Sequence, residues 1–197
     1  MFDTLASLSS RFPVLTDVTW WQGIFIALLV VAIMEAVAIV SHKYVMHGFL
    51  WSLHKSHHEP RIGAFERNDW FGVVGAIPSI ILLLIGTHYG LHMITAIGAG
   101  ITLYGAIYFG LHDVLVHRRV KHRWNPQWGY MKRVVQAHRL HHVVESKQGT
   151  VSFGFLYAPP IRVLKAQLAA NGTGKIRSSA KMRAEMDMVE NAEHWAR

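Results

Sequence analysis

The sequence predicts an all-α protein: an integral membrane bundle of about three to four transmembrane helices, with a histidine-rich cap on the cytoplasmic side. Three observations carry this. Two long stretches are nearly free of charge, Lys and Arg fall almost wholly on one side of them, and 13 of the 14 histidines lie between His42 and His142. The chain has 197 residues, 51% hydrophobic and 16% charged, with 20 basic residues against 12 acidic ones. It has ample apolar surface to bury, which excludes a disordered chain. With no cysteine, it is neither a disulfide-stapled domain nor a thiolate-metal or cysteine-nucleophile enzyme.

The first stretch, Trp20–Val40, is WWQGIFIALLVVAIMEAVAIV, with Glu35 its single charge. At roughly 1.5 Å per residue such a helix is about 30 Å long, the thickness of a bilayer core. A signal peptide is disfavoured, because only Arg11 precedes the run and the run exceeds a typical h-region. The second stretch, Trp70–Gly110, has 41 residues and no charge, too many for one span. The polar Gly86–His92 divides it, which predicts helices over about 70–87 and 92–111 joined by a tight hairpin. Pro78 is a candidate kink in the first, since neighbouring helices can satisfy the freed carbonyl. Gly98, Gly100, Gly105 and Gly110 offer close packing in the second.

Residues 1–19 carry one Lys or Arg, the hairpin none, residues 41–69 four and residues 111–197 fifteen. The positive-inside rule puts the last two groups in the cytoplasm and the N-terminus outside. The formal charge of +8 is accounted for by that rule, so no nucleic-acid partner is inferred. The expected location is the bacterial inner (plasma) membrane, multi-pass, with the C-terminus cytoplasmic. Residues 1–170 form the expected membrane-embedded domain and 171–197 a polar tail, in which Ser178 or Ser179 is a candidate helix cap.

Ten histidines repeat one pattern. H-x4-H (His42, His47) is followed by H-x-x-H-H (His54, His57, His58), and the same pair recurs as His112, His117 and His138, His141, His142. On an α-helix, i, i+3 and i+4 share a face, so each H-x-x-H-H triplet can point one way. His47 and His58 would lie about 16 Å apart on a straight helix and share a metal only if the chain bends, with Gly48 a candidate site. Ten imidazoles exceed the four to six ligands one ion takes. Two metals, with ligands drawn from both segments, is the economical reading, and imidazole suits Fe, Zn, Cu and Ni alike. No ExxH or HExxH occurs, which excludes ferritin-like di-iron carboxylate and zinc-protease patterns. His88 and His92 fit interfacial roles on the outer side, His122 stands outside the repeat, and His194 is a tail residue. Glu35, an intramembrane carboxylate, is a functional candidate by default, or a packing partner for Thr or Tyr. Asp113 and Glu145 can each orient a ligand imidazole. Glu35 and Asp113 are the two residues assigned to catalysis.

The segments HKYVMHGFLWSLHKSHHEP, HDVLVHRR and HRLHHVVESKQGTVSFGFLYAPP closely resemble the bacterial β-carotene hydroxylases, within the histidine-rich fatty acid hydroxylase/desaturase superfamily of membrane di-iron oxygenases. The resemblance spans about residues 20–160. It implies that the ten histidines hold two non-haem irons, with O2 as co-substrate and 3-hydroxylation of carotenoid β-ionone rings as the reaction. The products would be zeaxanthin from β-carotene through β-cryptoxanthin, and astaxanthin from ring-ketolated substrates. Rival readings are a carotenoid 4-ketolase or a fatty acid or sterol hydroxylase with the same site, and a metal carrier or transporter. Val151–Pro160 is a candidate lining for the substrate entrance. No dinucleotide fingerprint is present, so the electrons are expected from a separate ferredoxin and its NAD(P)H reductase, steered by the basic surface.

Overall fold

The computed structural model describes residues 11–59 and 63–172, and every regular element among them is helical. The order is α1 (Pro13–Thr16), α2 (Trp20–Val40), α3 (Trp51–His54), α4 (Asp69–Tyr89), α5 (His92–Tyr108), α6 (Gly129–His142) and α7 (Ile161–Asn171). Ser178, Ser179 and His194 lie outside the described residues. Among the described residues two compact units are present: one of residues 11–36 with Phe71–Phe109, the other of residues 37–59, 63–70 and 110–172.

The first unit consists of apolar helices that leave large side chains uncovered. Ile24, Phe25, Leu28, Leu29 and Ile33 of α2 are exposed, as are Val73, Val74, Ile80, Ile81 and Leu84 of α4. Helices apolar all round require an apolar solvent, and three helices, Trp20–Phe49, Asp69–Tyr89 and His92–Val116, are long and apolar enough to cross a membrane. The predicted division of the long stretch is present, but the break is narrower than expected. The α4 helix continues through Pro78 to Tyr89, and only Gly90, at φ 66, and Leu91 separate it from α5.

Small residues set the close approaches. A side chain at Gly100 would come within 2.6 Å of Val30 Cβ and 2.7 Å of the Ala27 carbonyl, and one at Gly98 within 3.1 Å of the Leu83 nitrogen. Gly86 meets Thr95 in the same way. Gly105 and Gly110, expected as packing residues, face open space. Glu35 is buried and accepts a 2.9 Å hydrogen bond from the Tyr104 hydroxyl. This pairing satisfies a carboxyl that would otherwise be costly among apolar side chains.

The second unit has a small core of Val134, Ala137, Val151, Ala158 and Leu164, where α6 packs on α7 and on the extended chain between them. Around that core the two spans bearing H-x4-H change winding. Ser41–Phe49 and Phe109–Val116 are π-helical, with the His117 N–H donating to the His112 carbonyl at 2.9 Å and the Leu50 N–H to Val45 at 3.0 Å. At Gly48 the backbone leaves the helix (φ −100, ψ −124), the bend that the spacing of His47 and His58 demanded.

Candidate metal centre

The π turns explain a spacing that an α-helix does not. Residues five apart on an α-helix point about 140° away from each other. One i→i+5 turn stacks them instead: the rings of His42 and His47 are 5.3 Å apart and those of His112 and His117 are 4.5 Å apart. The H-x-x-H-H triplets use other windings. His54 ends α3, His57 and His58 lie on a tight 3-10 turn, and His138, His141 and His142 lie on the last turns of α6.

Nine of the ten histidines gather into two groups. His57, His112, His117, His138 and His142 form one, and His42, His47, His54 and His141 form the other, with the ligand atoms of each group within 4.8 Å of one another. Each group takes one member from the opposite half of the repeat: His57 joins the second-segment histidines, and His141 joins those of the first. The triplets therefore do not point one way, as expected from α-helical geometry, but divide between the two groups. His58 lies between, its ring 4.4 Å from His142 and 5.0 Å from each of His47, His54 and His141.

The hydrogen bonds assign the proton on seven of the ten rings. Nδ1 of His42, His47, His58 and His141 donates to the carbonyls of Phe153, Lys147, Val144 and Val151 at 2.9–3.1 Å. Nδ1 of His54 donates to Asn68 Oδ1 at 2.7 Å, that of His57 to Glu66 Oε2 at 3.0 Å, and that of His112 to Asp113 Oδ1 at 3.2 Å. All these partners are acceptors, so Nδ1 carries the hydrogen and Nε2 presents a lone pair. Yet the Nε2 atoms face one another: His42 to His54 at 3.1 Å, His47 to His141 at 3.2 Å and His57 to His112 at 2.8 Å. His138 Nε2 is likewise 3.0 Å from that of His117 and 2.9 Å from that of His142.

In the first three pairs, opposed lone pairs with no hydrogen between them repel, and a cation between them removes the conflict. Two nitrogens bound at about 2.0–2.1 Å to one ion at right angles are about 3 Å apart, the separation observed. A ring whose second nitrogen donates to a carbonyl or carboxylate is also the arrangement metal-ligating histidine adopts. Electrostatics agree. Burial, with the neighbouring rings, holds His57, His138, His141 and His142 well below the ordinary 6.5, and burial pushes His54 down to about 4 against the opposing Asn68 bond. The rings are neutral and ready to bind metal at neutral pH.

Asp113 is where the sequence placed it, on His112. Glu35 is not among the gathered residues, and Glu145 is half-buried beside Val144. Sequence reasoning missed Glu66 and Asn68, which sit beyond the first triplet in the segment Glu66-Arg67-Asn68-Asp69. It also missed Arg119, which pairs with Asp69 at 2.6 Å and with Glu66 and Asp113 at 3.3 Å. The tight cluster of one amide and two carboxylates after the first triplet was the available signal. His122 is oriented by the Val114 carbonyl at 2.8 Å and belongs to neither group.

Two aromatic residues close over the histidines. Phe153 lies 5.4–5.5 Å from His42, His47 and His141, and Phe155 lies 5.1–5.8 Å from His42, His112 and His138. Phe155, with Val116, Val134 and Ala158, walls an apolar slot of about 10 Å³ that ends on His112 and His138. On another side an open cleft of about 740 Å³ runs along His47, lined by Lys43 and Lys147 and, among the described residues, by no carboxylate.

Comparison with known proteins matches this pattern. The chain is 51% identical over 148 residues to a β-carotene hydroxylase of Pantoea ananas, covering 75% of this chain and 83% of the relative. It is 48% identical over 148 residues to one of Paracoccus sp. strain PC1, 75% and 91% of the two chains. A chloroplastic β-carotene 3-hydroxylase of Gentiana lutea is 40% identical over 129 residues, 64% of this chain and 40% of that longer one. No solved structure matches. The model of the fatty acid hydroxylase family matches residues 27–159, a range holding both π turns and all ten repeated histidines, and the chain belongs to that family.

Proposed function

We propose that this chain is a membrane di-iron monooxygenase that adds a hydroxyl at C3 of carotenoid β-ionone rings, taking β-carotene through β-cryptoxanthin to zeaxanthin. The observation that carries the metal reading is the set of Nε2 pairs 2.8–3.2 Å apart whose Nδ1 hydrogens are already committed. The substrate reading rests on the bacterial and plant relatives, which bear the names β-carotene hydroxylase and β-carotene 3-hydroxylase. Those names do not favour a ketolase or a metal carrier.

In this reading, His57, His112, His117, His138 and His142 hold one iron. His42, His47, His54 and His141 hold the other, with His58 between the two groups as the tenth ligand. Iron supplies the O2 chemistry that an unactivated ring C–H bond requires, since such a bond has no acidic proton for a base to remove. The protein's own part is to fix each ring through its Nδ1 acceptor, keep the imidazoles neutral by burial, and exclude water with Phe153 and Phe155. The slot beside Phe155 has room for about one water molecule, so a β-ionone ring enters only as that side chain and its neighbours move apart. Asp113 acts by holding His112. Electrons arrive from a separate one-electron donor of the ferredoxin type, itself reduced through NAD(P)H. The positive-inside rule puts the histidine-bearing segments and the C-terminus on the cytoplasmic face of the bacterial inner membrane.

Expression in β-carotene-producing cells, with chromatography of the extracted pigments, tests the assignment. The expected pigments are β-cryptoxanthin and zeaxanthin. Ring ketones with no hydroxylated product would replace this reading by a 4-ketolase.

A further inference from the structure

The two histidine groups are oriented by different chemistry. In the four-histidine group every Nδ1 acceptor is neutral: the Asn68 amide and the carbonyls of Lys147, Val151 and Phe153. In the five-histidine group His57 and His112 lean on the carboxylates of Glu66 and Asp113. Both carboxylates meet one guanidinium. Glu66 gives Oε2 to His57 and Oε1 to Arg119, and Asp113 Oδ1 meets both His112 and Arg119 Nε. Asp69 Oδ1 meets the same nitrogen as Glu66, Arg119 Nη2, at 2.6 Å, while its other oxygen accepts the Glu66 N–H at 2.9 Å. His57, Glu66, Arg119, Asp113 and His112 thus form a closed circuit, completed by the 2.8 Å approach of the two Nε2 atoms. The backbone enforces it: Arg119 N–H donates to the Asp113 carbonyl at 2.9 Å, and Arg118 before it is left-handed at φ 51, a conformation a non-glycine residue keeps only where its surroundings hold it there.

We propose that Arg119 is a positioning residue for the five-histidine metal position alone, acting through Glu66 and Asp113 on His57 and His112. This rests on the reading of the histidines as metal ligands. Three carboxylates converge on one cation, and its side chain is 14% exposed. Without the guanidinium, Glu66, Asp69 and Asp113 repel one another in a poorly solvated place and swing apart. His57 and His112 then lose their fixed orientation. A lysine carries the charge but not the planar guanidinium whose Nη2 meets Glu66 and Asp69 while Nε faces Asp113. The Nδ1 acceptors at the four-histidine position are an amide and three carbonyls, none of which meets Arg119, so that position is indifferent to the change.

The test uses the full chain in detergent, stripped by a chelator and titrated with Zn²⁺ by calorimetry. Wild type should bind two equivalents. Arg119→Gln should leave one equivalent unchanged and weaken the other 10–100-fold, the usual effect of losing a partner behind a ligand. Arg119→Lys should fall between. Glu66→Gln, a milder change, should weaken the same single equivalent. Asn68→Ala should weaken the other one, so that Arg119→Gln combined with Asn68→Ala weakens both. Two wild-type-like equivalents in Arg119→Gln would overturn the proposal, as would parallel weakening of both in Arg119→Gln and Glu66→Gln. Zn²⁺ binding is read without turnover. Failure to hydroxylate a carotenoid therefore leaves this inference standing, and a failed clamp leaves the hydroxylase reading standing.

Discussion

A single imidazole in this centre is defined by its two nitrogens, one tied to an acceptor and one turned inward. In the proposed centre, removing a ring takes away a ligand and leaves the acceptor behind it buried without its donor. His57→Ala or His141→Ala should therefore abolish hydroxylation in pigment-producing cells while the chain still reaches the membrane fraction, and His194→Ala should leave the product unchanged. Near-normal product from His57→Ala would refute the ligand assignment. The same rings set a pH limit. Burial and, for most, neighbouring rings depress His54, to about 4, and hold His57, His138, His141 and His142 well below 6.5. For a histidine with a lowered native pKa, the unfolded chain binds more protons once pH falls below about 6.5. The stability these rings contribute is complete above that value and is lost as pH falls toward the native pKa. Metal release followed by a metallochromic dye should accordingly begin below about pH 6.5 and be advanced by pH 5, with no comparable loss on going from pH 7 to 8. Ten histidines and their pairing into two sets were legible in the sequence, because the repeat is explicit. Their partition was not: which ring joins which set depends on His57 and His141 crossing between segments, and only the fold decides that.

At the scale of elements, the helices were readable from charge-free length, and their windings were not. A spacing of five between His42 and His47, and again between His112 and His117, is incompatible with one α-helical face; in retrospect it was the sign of a π turn. The H-x-x-H-H triplets suggested α-helix, yet His57 and His58 sit on a 3-10 turn. Each winding places a ring where the default helix would misplace it. Close packing was half legible for a related reason: glycine spacing marks where helices can approach, but the neighbouring helix determines which glycines are used. Gly100 faces Val30 and Ala27 at under 3 Å from a built side chain, whereas Gly105 faces open space. Gly100→Ala should therefore push α5 from α2 and cost about 1–3 kcal/mol, the usual range for overpacking. Gly105→Ala should be neutral or stabilising by up to about 1 kcal/mol, since alanine replaces glycine within a helix. Thermal unfolding of the two variants in the same detergent measures the difference, and equal melting points would mean that α2 and α5 are not packed through Gly100.

For the whole molecule, charge governs both how the chain inserts and what it meets. One basic residue precedes the first span, four follow it and fifteen follow the last. A reporter active only outside the cytoplasm should be active when fused near Thr87 and silent after Arg123, and the reverse would misplace a span. The same asymmetry bears on electron supply. In the proposed reaction each hydroxylation would consume O2 and, besides the C–H bond, two electrons and two protons, releasing water. With no cysteine in its sequence, the chain has no thiolate for an iron–sulfur relay, and it has no dinucleotide fingerprint to receive hydride. Iron-loaded protein given β-carotene, O2 and NAD(P)H should make at most a trace of product, and a ferredoxin with its reductase should restore turnover. The open cleft beside His47, with Lys43 and Lys147 and, among the described residues, no carboxylate, is the docking place proposed for an acidic donor. The restored rate should fall as salt rises, because ions screen such attraction over about 10 Å at 0.1 M. Reversing both charges, Lys43→Glu with Lys147→Glu, should lower the low-salt rate several-fold and flatten its salt dependence, while turnover driven by a small chemical reductant stays unchanged. A rate indifferent to both salt and these reversals would move the docking surface elsewhere, and sustained turnover on NAD(P)H alone would reveal a nucleotide site that the sequence does not signal.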